Sequence, residues 1–232
     1  MGYNAALEAI QSSGIEKETL DYIIVAHNFG DIKHNSGIPD YVPNIASRIK
    51  RKLQILNPDT VAYDIMFGCP GWLQAVIQAD YYIKSGDAKR VLVVGTEVLS
   101  RISDPFDRDS MIYADGAGAV ILEAKESDAP VGIITHKTRT DSVDYYNLLY
   151  MGKSFNPERA DKNELFIKMN GHKLYQYALE KVPEAIKSCL DKAGFHINDI
   201  SKVLIHQANG KMDDAILKRL YASYGIKKIL IS

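Results

Sequence analysis

A cysteine and a histidine are the residues of this chain best placed to do chemistry. Cys69 lies in the run Val61-Ala62-Tyr63-Asp64-Ile65-Met66-Phe67-Gly68-Cys69-Pro70-Gly71-Trp72. A strand-like stretch ends at a glycine and a helix follows at once, so the cysteine is expected at a strand-to-helix corner. Pro70 suits the first helical turn, where its missing N–H costs nothing. A thiol there faces unpaired backbone N–H groups and the positive end of a helix dipole, and both favour thiolate. Such surroundings can bring a cysteine pKa from about 8.5 into roughly the 3.5–7.5 range, which makes a nucleophile without a metal. A second reading stays open at this level, because buried cysteines are commonly inert.

His206 opens the segment His206-Gln207-Ala208-Asn209-Gly210. The triplet Val203-Leu204-Ile205 before it reads as a buried strand, and Lys211 to Tyr221 after it as a helix. A histidine there can point Nε2 into a cleft at the carboxyl end of a sheet, where α/β proteins bind ligands. Taken alone, it is equally well explained as structural. His27, His34, His136, His172 and His196 have no context that favours more than a structural role.

These residues need a scaffold. From Gly71 to Lys84 the apolar residues cover most of a helix circumference, which predicts a helix buried in a sizeable core. Residues 5–27 and 185–207 align without a gap at an offset of 180 positions. Gly14 matches Gly194, Leu20 matches Ile200, and Ile23-Ile24-Val25 matches Val203-Leu204-Ile205. Each copy reads as helix, glycine stop, short loop and buried strand, the signature of a duplicated α/β unit. Further strands are expected at Val91–Val94, Ala117–Glu123 and Val131–Thr135. A helix is expected from Gly171 to Ala193, broken or kinked at Pro183. The Tyr-rich stretch from Arg139 to Asn163 is either a substrate-facing excursion or a plain surface loop. Asp104-Pro105-Phe106-Asp107-Arg108 reads as a solvated polar turn. Asp115-Gly116-Ala117-Gly118-Ala119 lacks the spacing of a phosphate loop and reads as close backbone packing.

Composition excludes several classes. The hydrophobic fraction is 46% and the charged fraction 25%, ordinary for a soluble globular protein. A net charge of −1 leaves no electrostatic footprint for nucleic acid. No apolar run is long enough to span a bilayer, so no membrane partner is expected. Two cysteines, Cys69 and Cys189, make no disulfide framework, which points to a reducing cytoplasm. The first residues already read as helix, and Ile229-Leu230-Ile231-Ser232 reads as a strand with nothing after it. The fold is therefore expected to be truncated at both ends.

Six motifs in order resemble 3-oxoacyl-[acyl-carrier-protein] synthase III, a family of the thiolase superfamily. They are the Cys69 corner with its helix; Lys84-Ser85-Gly86 followed by Val93-Val94-Gly95-Thr96-Glu97; Asp104 to Arg108; Tyr113-Ala114-Asp115-Gly116-Ala117-Gly118-Ala119; Met169-Asn170-Gly171-His172-Lys173-Leu174-Tyr175; and His206 to Asn209. The resemblance implies an α/β fold of duplicated α-β-α-β-α layers. It divides the chain into an N-terminal half with the nucleophile, residues 1–130, and an incomplete C-terminal half, residues 131–232. It implies Cys69 as the acylated nucleophile, His206 as the catalytic histidine that holds a thioester oxygen, and Arg108 as the residue packing on the adenine of coenzyme A. The implied reaction is a decarboxylating Claisen condensation of an acyl-CoA primer with malonyl-acyl carrier protein, the start of fatty-acid synthesis. No cofactor is implied beyond the coenzyme A thioester as substrate, and no metal. The family's catalytic Asn, in a loop beyond the second repeat, has no counterpart in this chain. Gly68, Pro70, Trp72 and Ile205 depart from residues the family often has there.

The resemblance also implies a homodimer, expected through the Val91–Glu97 strand if that strand forms a free sheet edge. The alternatives are a related secondary-metabolite or acyl-CoA condensing enzyme, an inactive paralogue that keeps the fold, and a papain-like Cys–His hydrolase. The hydrolase is disfavoured by the local pattern Cys-Pro-Gly-Trp and leaves the repeat unexplained.

Overall fold

Glycines stop the helices where the sequence places them. Gly14, Gly86 and Gly194 all adopt left-handed backbone, with φ of 69°, 83° and 73°, a conformation open to glycine at little cost. The structure, a computed structural model, describes residues 1–33, 38–129, 131–159 and 163–226. His34 and the expected strand at 229–232 lie outside the described residues. The chain divides into two compact units, 1–103 with 113–129, and 104–112 with the residues from 131 onward.

The first unit runs α1 (Gly2–Ser13), β1 (Tyr22–His27), β2 (Asp31–Ile32), β3 (Pro39–Asp40), α2 (Ile45–Leu53), β4 (Val61–Met66), α3 (Gly71–Ser85), β5 (Arg90–Val98) and β6 (Asp115–Glu123). Its main sheet has the order β4-β1-β5-β6. β1 pairs in parallel with β4 and β5, and β6 is antiparallel to β5. Strand alternation sends Ile23, Val25, Leu92 and Val94 to one face, where they pack with Ala6, Ile10, Ala46 and Ile49 of α1 and α2. Ile24, Val91 and Val93 go to the other face, against Ala75 and Ala79 of α3. Covered on both faces, these strands are continuous apolar runs. β5 is thus an interior strand, flanked by β1 and β6. The expectation of a free edge at Val91–Glu97 is corrected, and among the described residues the outer strands of this sheet are β4 and β6.

α3 also differs from expectation. Its buried side is narrow, formed by Gly71, Ala75, Ala79 and Asp80, while Leu73 is 58% exposed and Tyr81 is exposed. Small residues four apart let the helix lie close on the sheet. A Cβ on Gly71 would sit 3.2 Å from that of Ala26. β6 forms as expected, but a Cβ on Gly116 or Gly118 would meet nothing within 4 Å. Those glycines are not sites of close backbone packing.

The second unit contains α4 (Ser142–Tyr145), β7 (Leu149–Gly152), β8 (Phe166–Met169), α5 (Gly171–Ala193) and α6 (Gly210–Ala222). The excursion from Arg139 to Asn163 is therefore neither wholly loop nor wholly irregular: its β7 pairs antiparallel with β8. α5 continues through Pro183, which is buried inside it. The repeat holds as far as its helix, glycine and short 3₁₀ turn, at Lys17–Thr19 in one copy and Ile197–Asp199 in the other. The strand that should follow does not form. Residues 202–207 are irregular and Leu204 is 94% exposed. Val131–Thr135 is likewise not a strand. A strand needs a ladder partner, and residues 202–207 pair with no strand among the described residues.

Candidate active site

The corner holding Cys69 is built by turn chemistry. β4 ends at Met66, and Gly68 turns the chain with φ 68°. The Gly71 N–H donates to the Gly68 carbonyl at 3.0 Å, closing a turn around Cys69 and Pro70. Pro70 is the residue before the helix rather than in its first turn, and no side chain caps that end. Cys69 lies at the start of α3 as expected, and it is exposed.

Its electrostatics differ from expectation. The protein packed around the sulfur desolvates a thiolate and pushes the thiol pKa above its ordinary value. Hydrogen bonding from the Cys69 backbone works the other way, and the charge of Glu97 adds to the rise. Desolvation at the sulfur and the neighbouring carboxylate therefore act against the lowering expected from the helix end. Glu97 is held on β5, where its Oε2 accepts the Asn28 N–H at 2.6 Å. Burial raises the Glu97 pKa in turn.

His27 ends β1 and pairs with Met66 at the end of β4. Its Nδ1 accepts the Gly30 N–H at 3.0 Å, so Nε2 carries the proton and donates to Asp64 at 2.9 Å. Asp64 also accepts the backbone N–H groups of Ile45 and Ala46 at the start of α2. Burial opposes ionisation of Asp64, but these hydrogen bonds prevail and hold its pKa below the ordinary carboxylate value. His27 is a structural link between β1, β4 and α2. His196 is structural too, capping the 197–199 turn reciprocally with Asp199.

His206 and Arg108 belong to the second unit. His206 is exposed in the loop before α6, whose first turn is capped by Asn209 through the Met212 N–H at 2.9 Å. Arg108 is exposed and is the first residue of a 3₁₀ helix, Arg108–Ile112. The turn preceding it is not solvated, as its sequence suggested. Asp104 is fully buried and Asp107 nearly so. Both bond to Lys168 Nζ, at 2.5 and 3.0 Å. Sequence reasoning missed this cluster, and its one signal was a lysine inside the apolar strand Phe166-Ile167-Lys168-Met169. Among the described residues, no group of three His, Cys, Asp or Glu side chains could hold a metal ion.

Solved structures with this fold define the class, a thiolase-like α/β protein. The 3-oxoacyl-(acyl carrier protein) synthase III of Pseudomonas aeruginosa PAO1 superposes with a TM-score of 0.79 at 24% identity, over 95% of this chain and 63% of that one. The enzyme from Aquifex aeolicus VF5 gives 0.72 at 30% identity, over 95% and 65%. The priming β-ketosynthase of the R1128 polyketide pathway gives 0.76 at 25% identity, over 95% and 63%. The family model for 3-oxoacyl-[acyl-carrier-protein (ACP)] synthase III matches residues 63–142. The beta-ketoacyl-[acyl-carrier-protein] synthase III of Ehrlichia canis is 34% identical over the whole chain, which covers 68% of that protein. The chain belongs to the beta-ketoacyl-[acyl-carrier-protein] synthase III family. It spans 65% of the length of the Erythrobacter litoralis relative, to which it is 32% identical over 95% of its own residues.

Proposed function

We propose that this protein joins an acyl-CoA primer to malonyl-acyl carrier protein by decarboxylating Claisen condensation, initiating fatty-acid synthesis. The observation that carries this reading is Cys69, set in a glycine-bounded turn at an uncapped helix end in a chain of this family. The Cys69 sulfur gives up its proton and attacks the thioester carbonyl, the acyl–sulfur bond to coenzyme A breaks, and coenzyme A takes up one proton to leave as its thiol. The backbone N–H groups at the start of α3 stabilise the oxyanion formed in that step. Malonyl-acyl carrier protein then loses CO₂, and His206 Nε2–H donates to the thioester oxygen as negative charge develops. The resulting carbanion attacks the acyl group on Cys69, releasing the thiolate and leaving a β-ketoacyl carrier protein. Arg108 packs on the adenine of coenzyme A. The reaction needs no cofactor beyond the thioester itself.

The protein acts in the cytoplasm as a homodimer. A dimer that joins sheets through the first unit uses one of the outer strands of the described sheet, β4 or β6. A related priming condensation in a secondary pathway is the second reading, favoured by the likeness to the R1128 ketosynthase.

Mass spectrometry after incubation with acyl-CoA tests the proposal. An acyl adduct on Cys69, absent in Cys69→Ser, is expected, and full acylation of that variant would overturn the mechanism. Malonyl-acyl carrier protein offered next should discharge the adduct to a β-ketoacyl product. Peptide turnover in place of an adduct would point to a hydrolase.

A further inference from the structure

We infer that Lys168 is a positioning residue for coenzyme A thioester binding, acting through Arg108. The inference rests on the reading of Arg108 as the adenine contact and adds to it the device that holds Arg108 in place.

Lys168 is 2% exposed on β8. A buried ammonium is costly unless paired and hydrogen-bonded. Here it is paired twice, with Oδ2 of Asp104 at 2.5 Å and Oδ2 of Asp107 at 3.0 Å. It also lies 3.6 Å from the ring centre of Phe155, a cation–π contact. The carboxylates have further partners. Asp104 accepts the Ser154 hydroxyl at 2.9 Å, the Phe155 N–H at 2.8 Å and the Phe106 N–H at 3.1 Å. Asp107 accepts the Asp109 N–H through Oδ1 at 3.0 Å, inside the first turn of the Arg108–Ile112 helix.

The ammonium therefore grips both ends of the turn 104–107, and one of those ends caps the helix on which Arg108 is the first residue. The backbone of Arg108 is fixed from two sides, while its side chain stays exposed and available to a ligand. Without the ammonium, two carboxylates in a dry site face each other unneutralised. Their repulsion moves the turn and carries Arg108 with it. Misplacement of a binding group by about 1 Å can cost on the order of 10²-fold.

Coenzyme A titration by calorimetry tests this, with Arg108→Ala, Lys168→Met and the double variant. Lys168→Met should weaken coenzyme A binding by roughly 10- to 100-fold. In the Arg108→Ala background it should weaken it no further. Acylation of Cys69 by an acyl-pantetheine, which lacks the adenine, should proceed at the same rate in Lys168→Met and the unaltered protein. Asp107→Asn keeps the helix cap and Asp104, removes one charge partner, and should give an intermediate loss. It carries the test alone if Lys168→Met does not fold. Unaltered coenzyme A affinity in Asp107→Asn and in folded Lys168→Met, with Arg108→Ala weakened, would overturn the role of Lys168 and leave Arg108 standing. Equal slowing with the pantetheine thioester would also overturn it, as a general structural loss. Unaltered affinity in Arg108→Ala would instead remove the adenine assignment itself.

Discussion

Cys69 is held as a thiol by its surroundings, and Glu97 is the part of those surroundings that one substitution can remove. Glu97→Gln keeps an acceptor for the Asn28 N–H and takes away the charge. Its expected effect is a lower Cys69 pKa and faster alkylation by iodoacetamide near neutral pH, measured with Cys189→Ser so that one thiol reports. The gain should stay below about tenfold, which would need a full pKa unit. It should vanish in acid, where Glu97 is itself protonated; an unchanged rate at neutral pH would show that Glu97 exerts no field on the sulfur. A second residue-scale prediction concerns Asp104. Burial raises its pKa, but the Lys168 ammonium and the hydrogen bonds from Phe155, Phe106 and Ser154 outweigh this and bring it to about 2. The folded pKa is depressed, so the stabilisation is complete above the unfolded value of about 3.9 and is lost as pH falls through about 2. Asp104→Asn should lower the urea midpoint at pH 7, and its deficit should shrink steadily between pH 4 and pH 2. A deficit constant across that range would mean that the charge contributes nothing.

At the scale of elements, α3 depends on smallness. Ala75 is fully buried against the face of β1 and β5 that carries Ile24 and Val93. Ala75→Leu adds three carbons where the helix and sheet leave no room, and such overpacking costs about 1–3 kcal/mol. A lower urea midpoint at unchanged slope is expected; an unchanged midpoint would reveal slack between helix and sheet. Much of this architecture was legible in the sequence. Glycines at 14, 86 and 194 mark real helix ends, and the apolar runs at 23–25 and 91–94 are real strands, because helix stops and doubly covered strands leave local signatures. The misreadings have physical causes as well. The triplet 203–205 has the composition of a strand, but composition supplies no partner. The apolar circumference of α3 counted Leu73 as core, while the helix meets the sheet through Ala75 and Ala79 with Trp72, Val76, Tyr82 and Ile83 packed around them. The turn 104–107 looked solvated because two aspartates read as polar, and only the fold brings Lys168 from 61 residues beyond Asp107 to neutralise them. The raised Cys69 pKa was equally invisible, since desolvation depends on neighbours distant in sequence.

For the whole molecule, the proposed homodimer gives a direct prediction. Light scattering at micromolar concentration should return twice the chain mass, and a mass near 25.9 kDa would refute it. Proline placed at outward-facing N–H groups of β4 or β6 should shift the mass toward one chain only for the strand that joins the copies. The near-neutral net charge of −1 makes like-charge repulsion between copies weak. The sheet order carries one more consequence, and it concerns time. β1 and β5 have paired neighbours on both sides and helices over both faces, so their amides can meet solvent only when much of the first unit opens together. The outer strands can fray one at a time. In deuterated buffer, the protons of Ile23–Val25 and Leu92–Val94 should be the last of that unit to exchange, reporting its most cooperative opening, while those of β4 and β6 exchange through smaller and more frequent openings.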